Sequence, residues 1–308
     1  MYLIMGRSVS FFNYLRCRVE AKRSTGRYSS VDLYRAAGRH FRTYLGKDCS
    51  LARITSIMVD DFKSYLKGKG LRSNTINSYL SSLRAVYNAA CRESLVSPLK
   101  HPFAHLRLKR EATAKRAVPV QVLERMAEED WSDSPMLERA VDLSLFSFLA
   151  QGMPLVDLMS LRKENIQGNE LVYCRRKTGT QIRMLVSSGM RRLMRKYQSD
   201  SDFIFPFLKE ERNHQDYKSF LTRHNQALRT VGDRIKLNLR ISSYVIRHTW
   251  ASEALRQDIP VALISQAMGH ASEKVTRYYL RLLDVSTLGR ANRKVIGRID
   301  DLVVRKSL

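Results

Sequence analysis

Between residues 72 and 93 the chain reads RSNTINSYLSSLRAVYNAACRE, and Ile76, Tyr79, Leu80, Leu83, Tyr87 and Ala90 share one face if the backbone is helical. This three-to-four spacing recurs along most of the sequence and constrains the fold more than any other feature. In SVDLYRAAGRHFRTYLG (30–46) the stripe is Tyr34, Ala37, Phe41 and Leu45, with Ser30 placed to cap the start and Gly46 to end the helix. A further helix is expected around MVDDFKSYLKGKG (58–70), stopped by Gly68 and Gly70. Helices are also expected in 118–130, 135–152, 188–198, 214–232, 242–257 and 261–270, the second apolar enough to be central and buried. One stretch changes period. ELVYCRRKTGTQIRMLVS (170–187) sets β-favouring residues on both sides of a Lys-Thr-Gly turn and reads as a hairpin. The expected fold is mainly α with a small β element.

Within that frame the chain divides. SPLKHPFAHLRLKREATAKRAVP (97–119) carries three prolines and a basic run that includes Lys100, Arg107, Lys109, Arg110, Lys115 and Arg116. We expect an N-terminal helical domain over 1–98, a basic linker over 99–117, a second domain over 118–285 and a tail over 286–308. In the tail, Val295, Ile296, Ile299, Leu302 and Val303 recur at helical spacing.

Charge narrows the partner. Lys and Arg number 54 against 29 Asp and Glu, a formal net charge of +25. Such a field attracts polyanions. No apolar run approaches the roughly 18 residues of a spanning helix, and no signal peptide is legible at the start. Nucleic acid is therefore the expected partner, and no membrane is. The exposed face of the 72–93 helix, with Arg72, Asn77, Ser81 and Arg84, offers phosphate donors, and Lys109 and Arg110 in the linker could track a backbone. The four cysteines, Cys17, Cys49, Cys91 and Cys174, are far apart and fit reduced thiols in the cytoplasm. His101 and His105 have i,i+4 spacing, but Pro102 intervenes and no thiol or carboxylate is near in sequence. We expect no metal and no cofactor there or elsewhere.

The remaining chemistry is phosphoryl transfer by a side chain. No carboxylate trio stands out for holding two divalent cations, and GKDCS and GKGLRS lack the spacing of a phosphate loop. A phenol that attacks phosphorus needs cationic donors on the non-bridging oxygens, best met by an arginine fork, and a proton for the departing oxygen. The sequence holds Lys177 in RRKTGT, Arg247 in YVIRHTWAS, His270 in MGHASEK and Tyr279 in RYYL.

These boxes resemble the signature of the tyrosine recombinases, the phage-integrase family: SSYVIRHTWAS, then MGHASEKVTRYYL about two dozen residues on. The particular flavour is similar to integrases of bacterial conjugative transposons and prophages. The resemblance implies a SAM-like core-binding domain, to which TINSYLSSLRAVYNAA is similar, ahead of a recombinase catalytic domain. It also implies site-specific strand exchange through a 3′-phosphotyrosyl intermediate, without metal or ATP. Tyr279, nine residues after His270, is then the nucleophile and preferred to Tyr278; Arg247 and His270 hold the transition-state oxygens. Lys177 protonates the leaving oxygen, Tyr244 assists from the place where the family has histidine, and Arg176 is a DNA contact. Double-stranded DNA attachment sites as the partner, a homotetramer on that DNA, a monomer when free, a tail docked on a neighbouring protomer and an accessory DNA-bending protein are implied with it.

The chain departs from the family at one more place. Where the family has T-G-L-R this chain reads QGMP, so Pro154 stands at the first arginine and Gln151 just before the Gly-Met; Asp157 follows at the family's carboxylate position. Arg162 and Arg176 are nearby in sequence and are candidates to replace that first arginine. A catalytically weakened or inactive DNA-binding descendant of the family is the alternative that these departures leave open.

Overall fold

The computed structural model describes residues 9–108, 111, 117–208 and 213–270. Its elements are mostly helical and fall into two compact units, 1–113 and 114–308.

In the first unit the helices are α1 (Phe11–Ser24), α2 (Tyr28–Leu45), α3 (Ser56–Gly68) and α4 (Ser73–Arg92). Side-chain oxygens satisfy the first backbone donors of two of them: Ser10 accepts from Asn13 N, and Thr55 from Met58 N. The α2 start differs from the sequence expectation. Arg27, not Ser30, is the capping residue, because its carbonyl already accepts from Ser30 N and Val31 N. The α2 end is as expected, with Gly46 in the left-handed conformation that a helix terminus favours. The α4 stripe faces inward: Ile76, Leu80, Leu83, Tyr87 and Ala90 are buried, joined by Phe11, Phe41 and Phe62 in one core. Phe103 and Leu106 also enter this core. Their segment is tied back to the unit by His101 on Asn88 Oδ1 (2.6 Å) and His105 on Asp60 Oδ1 (3.0 Å).

The second unit is built from α5 (Val120–Glu128), α6 (Pro135–Leu149), α7 (Leu155–Leu158), the strands β1 (Ile166–Gln167), β2 (Glu170–Cys174) and β3 (Gln181–Leu185), then α8 (Ser188–Lys196), α9 (His214–Arg234), α10 (Ser243–Arg256) and α11 (Val261–Ala267). The expected hairpin is present, with Tyr173 opposite Ile182, and β1 adds a third antiparallel strand. Too short to show a period, β1 carries no sequence signal of its own. Helix α6 is the centre, packed against α9, α10 and α8, with Leu143 and Phe146 fully buried.

One buried polar group in this unit sets an acid limit. His224 on α9 is 5% exposed, stacks on Phe220 at 6.1 Å and has its pKa pushed down to about 4 by burial and by the Arg139 charge. A histidine lowered from 6.5 is neutral when folded, so its contribution is complete above pH 6.5 and is lost as pH falls toward 4. The full loss is about 3 kcal/mol. We expect the melting temperature of the protein to fall steeply across that window, and His224→Gln to flatten the fall. An unchanged pH profile in the variant would refute the assignment.

Candidate active site

Four segments distant in sequence meet in the second unit. The first is the turn between α6 and α7. Gln151 and Gly152 both lie in the left-handed region (φ 59° and 69°), and Ser147 Oγ donates to Met153 O at 2.6 Å to fix the bend. Glycine is required at 152, where a Cβ would sit 3.1 Å from the Arg247 Cα. Pro154 then starts α7 with its carbonyl accepting from Asp157 N, which turns the Asp157 carboxylate into the interior at 1% exposure. Gln151 Oε1 is buried without a hydrogen-bond partner among the described residues.

The second segment is the β2–β3 turn. Arg175 continues the buried parity of Leu171 and Tyr173 and is 6% exposed, while Arg176 and Lys177 face solvent. Arg175 Nε reaches Asp157 Oδ2 at 3.4 Å, and the Arg176 amide donates to Asp157 Oδ1 at 3.0 Å. Burial pushes the Asp157 pKa up, and the Arg176 amide and the two buried guanidiniums oppose that rise.

The third is α10, which supplies Arg247 at 3% exposure. Its guanidinium donates to Gly152 O (2.7 Å) and Met268 O (2.7 Å) and lies 3.1 Å from His270 Nε2. Arginine can only donate, so Nε2 accepts and the proton of the neutral ring sits on Nδ1. Burial, helped by the Arg175 charge, lowers the Arg247 pKa to about 10, which leaves it cationic at neutral pH. Tyr244, one turn earlier, is 42% exposed and makes an edge contact with His248 at 4.6 Å.

The fourth is the end of α11. Gly269 (φ 59°) follows the last helical turn, with Gly269 N on Gln266 O (2.9 Å) and His270 N on Ser265 O (3.0 Å), the paired bonds of a glycine-terminated helix. Arg175 donates to Met268 O (2.7 Å) and Gly269 O (3.4 Å), and Thr178 Oγ1 to Gly269 O (3.2 Å). The glycine-histidine pair is thus a helix stop that aims an imidazole at Arg247. Burial and the charges of Arg247, Arg175 and Lys177 push the His270 pKa down to about 4. This pocket of charge is strongly cationic.

The structure therefore brings together Arg247, His270 and the Lys177 turn, with Tyr244 beside them on α10. Arg175 was not among the residues expected from sequence, although its parity with Tyr173 was a usable signal. Arg162, one of the two candidate replacements for the first arginine, is instead engaged by Asp202 (3.5 Å) and lies over the Phe203 ring. On α4, Arg72 and Ser81 are exposed, Asn77 is half-buried, and Arg84 Nη1 donates to Leu106 O at 3.4 Å. Tyr279, Tyr278, Lys109, Arg110 and the 286–308 tail lie outside the described residues. Among the described residues no three His, Cys, Asp or Glu side chains gather to hold a metal, and no helix is long and apolar enough to cross a membrane.

Comparison with known proteins follows the same division. Residues 10–106 match the phage integrase SAM-like domain, and residues 120–285 match the phage integrase family. The chain is 23% identical to the tyrosine recombinase XerC of Oceanobacillus iheyensis over 88% of its length and 89% of that protein. It is 25% identical to the tyrosine recombinase XerD of Rhizobium meliloti, over 75% of the chain and 78% of that protein. The fold is similar to that of a lambda integrase dimer bound to a COC′ core site (TM-score 0.65, 16% identity, 88% and 95% coverage). It is also similar to the Tn1549 transposon integrase in complex with transposon right end DNA (TM-score 0.63, 13% identity, 94% and 100% coverage).

Proposed function

The chain belongs to the phage integrase family, and from that premise we propose how its own residues carry out site-specific DNA recombination. It is a tyrosine recombinase, and the observation that carries the reading is the meeting of buried Arg247 with His270 beside the Lys177 turn.

In this reading the Tyr279 hydroxyl gives its proton to solvent water and its oxygen forms a bond to the scissile phosphorus while the bond to the 5′ oxygen breaks. The 5′ oxygen leaves with a proton from Lys177, and a 3′-phosphotyrosyl ester keeps the bond energy for rejoining. Arg247 neutralises a non-bridging oxygen as charge grows there. His270 Nδ1–H is a second donor, and Tyr244 a third. The basic sequence around the Lys177 turn and the α4 face, with Arg72, Asn77, Ser81 and Arg84, contacts phosphates of duplex DNA, and Lys109, Arg110 and Arg176 extend that contact. The division of labour is a core-binding domain over 1–98, a basic linker over 99–117, a catalytic domain over 118–285 and a protomer-docking tail over 286–308. Strand exchange takes place in a homotetramer on DNA assembled from free monomers, in the cytoplasm, with room for an accessory DNA-bending protein.

A nicked suicide substrate, carrying a site selected from random duplexes by the full chain, tests this. Wild type is expected to trap as a covalent protein–DNA adduct, and Tyr279→Phe to bind equally but give none. An adduct that persists in Tyr279→Phe would reassign the nucleophile. Tight, site-selective binding with no wild-type adduct would leave a DNA-binding descendant.

A further inference from the structure

We propose that Arg175 is a catalytic residue of strand cleavage, forming with Arg247 a two-guanidinium clamp on the scissile phosphate. The inference rests on the recombinase reading above and adds a residue to its site.

The geometry points there first. Arg175 Nη1 and Arg247 Nη2 each donate to the same atom, Met268 O, at 2.7 Å. Two forks that share one acceptor oxygen are already placed to share an oxygen of a phosphate. Asp157 holds Arg175 from behind through Nε, which leaves the Nη edge directed at the shared oxygen.

Charge gives the second argument. Among the described residues Arg175 and Arg247 are the buried arginines, and Asp157 is the buried carboxylate beside them. Among the described residues, one carboxylate against two guanidiniums leaves a buried positive charge met by carbonyl dipoles and the neutral His270 ring. Such an excess is costly unless an anion completes it. Positions 151 and 154, on the turn beside Arg247, are glutamine and proline and supply no cation. Arg175 therefore makes up the second cationic arm from the opposite side of the pocket.

Met268 O stands in for the phosphate oxygen in the free protein. A carbonyl carries a partial charge and a phosphate oxygen a formal one, and a phosphate can take two parallel N–H···O bonds from an arginine fork where a single carbonyl oxygen cannot. The phosphate oxygen thus displaces the carbonyl, with Gly269, already in the left-handed region, as the joint about which the turn gives way. As the Tyr279 oxygen bonds to phosphorus and the 5′ oxygen departs, both forks meet the charge accumulating on the non-bridging oxygens.

The test compares two nicked suicide substrates of one sequence, with the scissile group either a phosphodiester or a neutral methylphosphonate. Arg175→Met is expected to lose about 100- to 1000-fold in cleavage of the phosphodiester. On the methylphosphonate, which lacks the charge that Arg175 neutralises, the loss shrinks to roughly tenfold or less. Arg247→Ala serves as the reference for such relief. Equal losses on both substrates would show that Arg175 only holds the Met268–Gly269 turn, and undiminished cleavage would show that it does neither; either overturns the proposal. Where Arg175→Met does not fold, Arg175→Lys keeps the charge beside Asp157 without the fork. Its expected loss of about tenfold must likewise be relieved by methylphosphonate. A wild-type protein that forms no Tyr279-dependent adduct removes the recombinase reading itself, and this inference with it.

Discussion

Replacing Asp157 with alanine is expected to destabilise the second unit by about 3–5 kcal/mol, the usual result of removing one partner from a buried ion pair. The carboxylate is 1% exposed and is the counter-charge beside Arg175 and Arg247. It also accepts the Arg176 amide at 3.0 Å, so its loss leaves a buried donor unsatisfied as well as two like charges facing each other. The melting midpoint should drop on the order of 10 °C. Asp157→Asn keeps an acceptor for the Arg176 amide while removing the charge, and separates the two contributions. A loss under 1 kcal/mol in Asp157→Ala, measured by chemical denaturation, would mean that the two arginines do not depend on it.

Gly269→Ala should leave folding largely intact and cleavage badly impaired. The residue adopts φ 59°, which costs alanine roughly 1 kcal/mol in this region. The added Cβ would fall 2.6 Å from Arg175 Cδ and 2.7 Å from Ile182 Cδ1. Arg175 cannot simply swing away, because its far end is held by Asp157 and by Met268 O. The strain is therefore relieved by moving the turn that carries His270. A misplacement of this kind costs about 100-fold in rate. Trapping of the covalent adduct is expected to slow by that factor while affinity for the site changes little. Wild-type cleavage in the variant would show that the turn tolerates the displacement and that His270 is not set by it.

Several features were legible from local pattern. The buried face of α4 was readable because helical burial repeats every three to four residues, and Gly46 because a left-handed terminus favours glycine. The hairpin followed from β-favouring residues on both sides of a turn. Family membership was readable from the spacing between Arg247, His270 and Tyr279, and the family comparison bears it out. The start of α2 was misjudged by a few residues, since the helix begins at Arg27 through its carbonyl alone, with no capping side chain to mark it, and Ser30 lies within the first turn.

What the sequence alone determined is the kind of elements, their approximate limits and the chemical types available to the site. These depend on interactions within a few residues, whose energies repeat with the helical or strand period. Only the tertiary structure decided that Arg175 pairs with Asp157 in the interior, and that Met268 O joins its guanidinium to that of Arg247. Gly152 and Arg247 are 95 residues apart, and Arg175 and Met268 are 93 apart. Burial of a charge is set by the neighbours that exclude water around it, and here those neighbours come from distant parts of the chain.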